Sequence, residues 1–281
     1  MNQFRKSIQY NTISCFNQGF YEYNKRIVII SEKDVENSIK NTIGLSATKI
    51  HSIYNGSPEK NINKPKIKIE LIEDDCLKVG LDLQKKGYNP VVLNMANPFN
   101  SGGGYQNGAN AQEENLFRRT NMFMCLRQRS YPIPVSGTIY TKDVVVIRQD
   151  EFNNYDFLDE PCKMSFIAAA AWRCDKRYFS KDLININGKY KLNPKIEQIT
   201  LNTIHSIFKT ALINEHDCVV LSALGCGAFN NPPKHIAQLF KQAVEEGSYD
   251  TKLKIVFAIY DDTNALINNK EGNVSIFSQF F

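Results

Sequence analysis

The sequence predicts an α/β fold in three layers, α/β/α, with a mixed central sheet and a mostly helical N-terminal extension. Two observations carry this. Short apolar runs of strand length recur between residues 66 and 260, separated by amphipathic helical patterns. Two of these runs are followed by glycine-rich loops that lead into helices, as in open sheets that hold ligands beyond their carboxyl ends. Apolar residues form 42% of the 281 and charged residues 22%, which suits a large core and excludes a disordered chain.

In order, residues 3–22 carry Phe4, Ile8, Ile13, Phe16 and Phe20 at helical spacing, ended by a turn containing Gly19. A short strand, Arg26 to Ile30, and a polar helix from Ser31 follow. The stretch 54–66 (YNGSPEKNINKPK) reads as an exposed loop and divides an extension, residues 1–60, from a main body, residues 61–281. The body opens with a strand at 66–72 (KIKIELI) and a helix at 75–86 closed by Gly87. Apolar strands then fall at 90–95 (PVVLNM), 143–149, 163–171, 218–224 and 253–260. Helical patterns fill 114–127, 196–214 and 233–246.

Composition excludes several function classes. The net charge of +5 is too mild for a direct DNA binder, although it favours the approach of anions. No apolar run reaches the roughly 18 residues of a membrane span, and the opening residues lack a signal peptide's apolar stretch. Seven cysteines lie scattered with no C-x-x-C pair, and the four histidines do not cluster with them. The expectation is a reducing, cytoplasmic setting, with no disulfide scaffold, metal or cofactor, and a monomer by default.

Two loops carry chemistry. The first, Asn97-Pro98-Phe99-Asn100-Ser101-Gly102-Gly103-Gly104, follows the strand at 90–95 and precedes Gln112-Glu113-Glu114 at a helix start. Three glycines bare the backbone N–H groups, and the helix N-terminus adds unpaired donors, so an anion-tolerant cradle has two carboxylates at its edge. The second, Gly225-Cys226-Gly227-Ala228-Phe229-Asn230-Asn231-Pro232-Pro233, joins a strand to a helix that its prolines can start. If the two strands are parallel neighbours, a diphosphate fits between the loops. Taken singly, each feature has a plain explanation: a flexible turn, a dipole-complementing glutamate, or, for Trp172, packing at the core or rim. The conjunction in this order is what carries information.

That conjunction resembles the macrodomain superfamily, and within it the bacterial-type poly(ADP-ribose) glycohydrolases. Their signature is a triple glycine, six to eight residues, then Gln-Glu-Glu; here Gly102-Gly103-Gly104 and Gln112-Glu113-Glu114 stand seven residues apart. The Gly-Cys-Gly-Ala-Phe-x-Asn-Pro loop and the closing strand Val256 to Asp261 are also similar. The resemblance implies hydrolysis of ribose–ribose O-glycosidic bonds in poly(ADP-ribose), or action on ADP-ribosylated protein, with ADP-ribose as product. It implies that Glu114 is the catalytic carboxylate, acid then base, and that ionised Glu113 grips the terminal ribose together with Asn97.

The resemblance assigns the substrate cradle to Gly102, Gly103, Gly104, Gln112, Gly225, Cys226, Gly227, Ala228 and Asn230, with Phe229 packing near the ribose. Asp75 is implied for the adenine amine, and Phe257 for stacking on the base. Adjacent glutamates at a helix start are expected to point different ways. The chain departs from the family pattern at Ser101, where proline is frequent, and at Arg119, where a small polar residue is. A reader that binds ADP-ribose without cleaving it, and a hydrolase of mono-ADP-ribosyl linkages, are the alternative readings.

Overall fold

A computed structural model describes residues 1–54, 67–127, 131–174, 179–247, 249, 253–261 and 263–281. The chain begins with α1 (Asn2–Gln18), a hairpin of β1 (Phe20–Tyr23) and β2 (Arg26–Ile29), α2 (Glu32–Lys40), β3 (Thr42–Leu45) and α3 (Ala47–Ile53). There follow β4 (Ile69–Ile72), α4 (Cys76–Lys85), β5 (Pro90–Met95), α5 (Gln112–Arg119), α6 (Met122–Cys125), β6 (Thr138–Arg148) and β7 (Phe157–Ala169). The remainder is α7 (Phe179–Asp182), a hairpin of β8 (Leu183–Ile186) and β9 (Lys189–Leu192), α8 (Pro194–Ile213) and β10 (Cys218–Leu221). Last come α9 (Pro233–Glu246), β11 (Lys254–Ala258), α10 (Thr263–Asn268) and α11 (Asn273–Phe277).

Seven strands form the central sheet in the order β3-β6-β7-β5-β10-β11-β4. β4, β11, β10, β5 and β7 are mutually parallel, while β6 runs antiparallel to both of its neighbours. The expected mixed α/β/α sandwich is what forms. Side chains alternate across each strand, so Val91, Leu93, Ile167, Val219, Leu221 and Ile255 face α8 and α9, whose Ile204, Phe208, Ile236 and Phe240 close one core. Their neighbours Val92, Phe166, Val220 and Val256 face α4 and α5, where Leu77, Leu83, Leu116 and Phe117 close the other. Each fully buried side chain of this size stabilises the fold by roughly 1.5–3 kcal/mol. No helix among the described residues is long and apolar enough to cross a membrane.

The two strands that precede the glycine loops, β5 and β10, pair in parallel with Val91 opposite Val219 and Val92 opposite Val220. Both loops therefore leave the sheet at the same end.

Several elements differ from the sequence expectation. Gly19, with φ +80°, caps α1, and residues 20–23 turn into a strand. The N-terminal extension is less helical than its pattern, because it also supplies β3, an edge strand of the main sheet. Its α1, hairpin and α2 bury Cys15, Phe16, Tyr21, Val28 and Val35 against Val145 and Ile147 of β6. The helix expected over 114–127 is two helices. Thr120 between them is extended, bridges to Val146 and sends its hydroxyl to the Leu116 carbonyl, while Asn121 pairs with Val145 and Ser38. Of the exposed loop read at 54–66, residues 55–66 lie outside the described residues.

Candidate active site

At the carboxyl ends of the five parallel strands lies a cavity of about 450 Å³. This is within the range of small-ligand pockets and is where an open α/β sheet holds its ligand. Asp75 after β4, Met95 and Ala96 after β5, Ala171 after β7, Ser222 after β10 and Tyr260 after β11 mark the strand ends on its wall. The uncapped N-terminus of α5 supplies Ala111, Gln112 and Asn115. Its first-turn N–H groups and partial positive charge favour an anion there.

The second loop lines the cavity through Gly225, Gly227, Ala228 and Phe229. It is stitched from within. Asn231 N donates to Gly225 O at 3.0 Å, and Asn231 Nδ2 donates to Trp172 O at 2.7 Å and Gly225 O at 3.1 Å. Gly225 has φ +74°, and a Cβ there would stand 2.5 Å from Asn231 Nδ2 and 2.6 Å from Ala171 Cβ. Only glycine fits. Cys226 and Asn230, both expected in the cradle, are turned away from the lining. The Cys226 thiol is wholly buried, donates to Leu224 O, and is pushed up by burial, so it is no nucleophile. Asn230 Nδ2 reaches the Cys174 carbonyl at 3.3 Å.

The first loop forms a cup over the start of α5. Asn97 Oδ1 accepts from the N–H groups of Phe99 and Asn100, at 2.9 and 3.0 Å, which turns the chain toward the glycines. Glu113 Oε2 accepts from Asn97 N at 2.8 Å and its Oε1 from Gly102 N at 3.1 Å. Glu114 Oε1 accepts from Gly104 N at 2.8 Å. A Cβ on Gly103 (φ +54°) would lie 2.4 Å from Glu114 Oε1 and 3.3 Å from Glu113 Oε2. The adjacent glutamates thus do not point different ways, because both carboxyls close on the same glycine backbone. Gln112 braces the cup from the sheet, accepting from Met95 N at 2.8 Å and donating to Leu93 O at 2.6 Å.

Both carboxyls are buried, with 3% and 8% of Glu113 and Glu114 exposed; neither they nor the buried Gly102 and half-buried Asn97, Gly103 and Gly104 line the cavity. Burial pushes Glu113 up to about 8, against the lowering effect of the Asn97 N–H and with a further rise from the charge of Glu114. Its burial thus favours the protonated form over the charged form of the sequence reading. Its carboxyl accepts from loop backbone and, at 3.5 Å, from the Tyr131 hydroxyl, so it positions the cup. Glu114 Oε2 is buried with no hydrogen-bond partner. An orphaned buried carboxylate oxygen is costly and marks a site shaped for something other than stability.

Phe257 does not stack on a ligand. On β11 it faces the core, 1% exposed, with its ring stacked on Phe281 at 4.5 Å and edge-on to Phe240 at 5.1 Å. The aromatics at the cavity are Phe229 and a pair the sequence reading missed, Phe152 and Tyr260, with centroids 4.8 Å apart and 67% and 50% exposed. Their signal was a lone Phe in the polar run QDEFNNYD. The extension was also missed as a wall: Met1 and Arg5 of α1 line the cavity, and Arg5 Nε donates to Glu151 Oε1 at 2.9 Å. Among the described residues no cluster of side chains is arranged to hold a metal ion.

The family model "Microbial-type PARG, catalytic domain" matches residues 10–149, which include the cup and both glutamates. The chain belongs to the microbial-type PARG family. No curated protein sequence matches it. Among solved structures, the poly(ADP-ribose) glycohydrolase of Thermomonospora curvata is similar over 99% of both chains at 23% identity, with a TM-score of 0.82. Its form bound to the inhibitor ADP-HPD gives 0.81 over the same spans. The Deinococcus radiodurans enzyme in complex with ADP-ribose covers 89% of this chain and 98% of its own, at 20% identity and a TM-score of 0.70. These structures share the fold of this microbial-type PARG chain.

Proposed function

We propose that the protein hydrolyses the ribose–ribose O-glycosidic bonds of poly(ADP-ribose) and releases ADP-ribose, with Glu114 as the proton-transferring group. The observation that carries this is the Glu114 carboxyl: one oxygen pinned by Gly104 N–H, the other buried and unpartnered beside a backbone with no side-chain wall. The microbial-type PARG match supports the substrate class.

In this reading the cavity holds the ADP portion, with the diphosphate near the α5 N-terminus and the Gly225–Phe229 loop, which fixes the sugar at the cup. Glu114 gives its proton to the departing 2′-oxygen as the bond from that oxygen to the anomeric carbon breaks. The same carboxylate then takes a proton from the water that bonds to the anomeric carbon. Such a positioned acid contributes about 10²–10⁴-fold. Glu113 keeps Asn97 and Gly102 in register. Seven free cysteines, all but Cys162 buried, support a reducing cytoplasmic setting, in which we place it as a monomer.

The test is incubation with defined polymer, products resolved by mass. Wild type releases ADP-ribose; Glu114→Gln loses turnover by roughly 10²-fold or more yet binds ADP-ribose nearly as before. Normal turnover by that variant would remove Glu114 from the mechanism. Tight ADP-ribose binding by a wild type that releases nothing would make the protein a reader.

A further inference from the structure

The cavity lining changes character along the strand ends. Beyond β10 the Gly225–Phe229 loop offers backbone amides. Toward the edge strand β4 the lining forms an acidic and aromatic end, where Asp74, Asp75, Asp150 and Glu151 stand with Phe152 and Tyr260, and the start of α5 adjoins it through Gln112 and Asn115. An acidic end repels phosphate and accepts N–H donors, while exposed rings offer faces to a flat heterocycle. If the substrate of the preceding section occupies the cavity, its base sits at this acidic end, and the exocyclic amine of adenine is the donor that a carboxylate there can accept.

Arg119 lies directly behind that end. It is 1% exposed, and its Nη1 donates to Asp75 Oδ1 at 2.8 Å and to Asn115 Oδ1 at 3.0 Å. Lys78 N also donates to Asp75 Oδ1, at 2.8 Å. Oδ1 is thus fully engaged, whereas Oδ2 has no partner among the described residues although its side chain lines the cavity. The contacts continue around the wall. Asn115 Nδ2 donates to Tyr155 OH at 3.1 Å, Tyr155 OH donates to Glu151 Oε2 at 3.2 Å, and Glu151 receives Arg5. Burial by itself opposes the charge of Arg119, but the carboxylate of Asp75 holds its pKa above the ordinary value.

We propose that Arg119 is a positioning residue for base recognition: it locks Asp75 through Oδ1 so that Oδ2 is presented to the amine of adenine, and thereby sets the preference for adenine over a base carrying a carbonyl at that position. This rests on the ADP-ribose reading above. The guanidinium does not touch the base; it removes the rotational freedom of the carboxylate that does.

The test is calorimetric binding of ADP-ribose and of its hypoxanthine counterpart, IDP-ribose, to wild type, Arg119→Met, Arg119→Lys and Asp75→Asn, with kinetics on polymer. Wild type should favour ADP-ribose by roughly 10- to 100-fold, the worth of one charged hydrogen bond. In Arg119→Met that ratio should shrink to roughly threefold or less, with KM raised and kcat little changed. Arg119→Lys, which keeps the charge but not the fork, should fall between. A merely structural arginine would lower the melting temperature and leave the ratio intact among folded molecules; that result overturns the proposal. If Arg119→Met does not fold, Arg119→Lys and Asp75→Asn decide, and an unchanged ratio in both overturns it. A wild type that binds ADP-ribose and IDP-ribose equally also overturns it while leaving the hydrolase reading standing. A wild type that binds neither sinks both.

Discussion

At Glu113, burial and hydrogen bonding oppose each other within one side chain. Desolvation raises its pKa, the N–H groups of Asn97 and Gly102 lower it and the charge of Glu114 raises it, with a net rise from 4.5 to about 8. In the unfolded chain the group titrates near its ordinary value, so between about 4.5 and 8 the folded protein binds more protons. The stabilisation this confers is fully present below the lower value and is lost as pH rises through the upper one. Urea-derived unfolding free energies should accordingly fall across that window, by at most about 1.4 kcal/mol per pH unit from this group. Glu113→Gln should flatten the profile, at a pH-independent cost of roughly 1–3 kcal/mol for the N–H left unpaired. Parallel profiles for the two proteins would show that Glu113 titrates normally. The sequence placed both glutamates at the cup, but not the protonation state of Glu113, because desolvation depends on what the fold stacks over it.

At the level of elements, the ligand end is made by turns between regular pieces. Gly225, between β10 and α9, is the turn with least latitude, since an added Cβ would meet both Asn231 and Ala171. Gly225→Ala should displace the Gly225–Phe229 backbone at a cost of roughly 1–3 kcal/mol. ADP-ribose affinity should fall about tenfold with the sheet intact, as calorimetry beside a thermal melt would register. Unchanged affinity would mean that the loop does not hold the ligand. The apolar runs at 90–95 and 218–224 were legible as buried strands because parallel strands between two helix layers are apolar on both faces. β7 starts earlier than its apolar run because its first half, residues 157–163, is exposed or half-buried. β6 starts earlier because Lys142 and Asp143 interrupt its apolar pattern, although Ile139 and Tyr140 before them are buried in the two central cores. The β8–β9 hairpin went unread although Asn187-Gly188, both at positive φ, is its turn signal.

In the whole molecule, the N-terminal segment is structural to the site. Thr12 of α1 donates to Arg118 O at 2.7 Å and accepts from Arg148 Nε at 2.9 Å, and all three residues are buried. Thr12→Val keeps the shape and removes both bonds, leaving a buried guanidinium N–H unpaired. It should cost about 1–3 kcal/mol, and chemical denaturation would measure the loss. Stability equal to wild type would show that water replaces the hydroxyl. Because α1 also carries Arg5 to Glu151, loosening it should raise KM as well.

The sequence by itself determined the layered α/β architecture, the pairing of a triple glycine with Gln112-Glu113-Glu114, and the second loop after β10. These are local properties: period, composition and backbone freedom act over a few residues. Only the tertiary structure decided that Phe257 is core while Phe152 and Tyr260 flank the cavity, that both carboxyls close on one backbone, and that Arg119 and α1 brace the acidic wall. Such facts depend on which face of a strand turns inward and on contacts between residues over a hundred positions apart, and no local pattern encodes them.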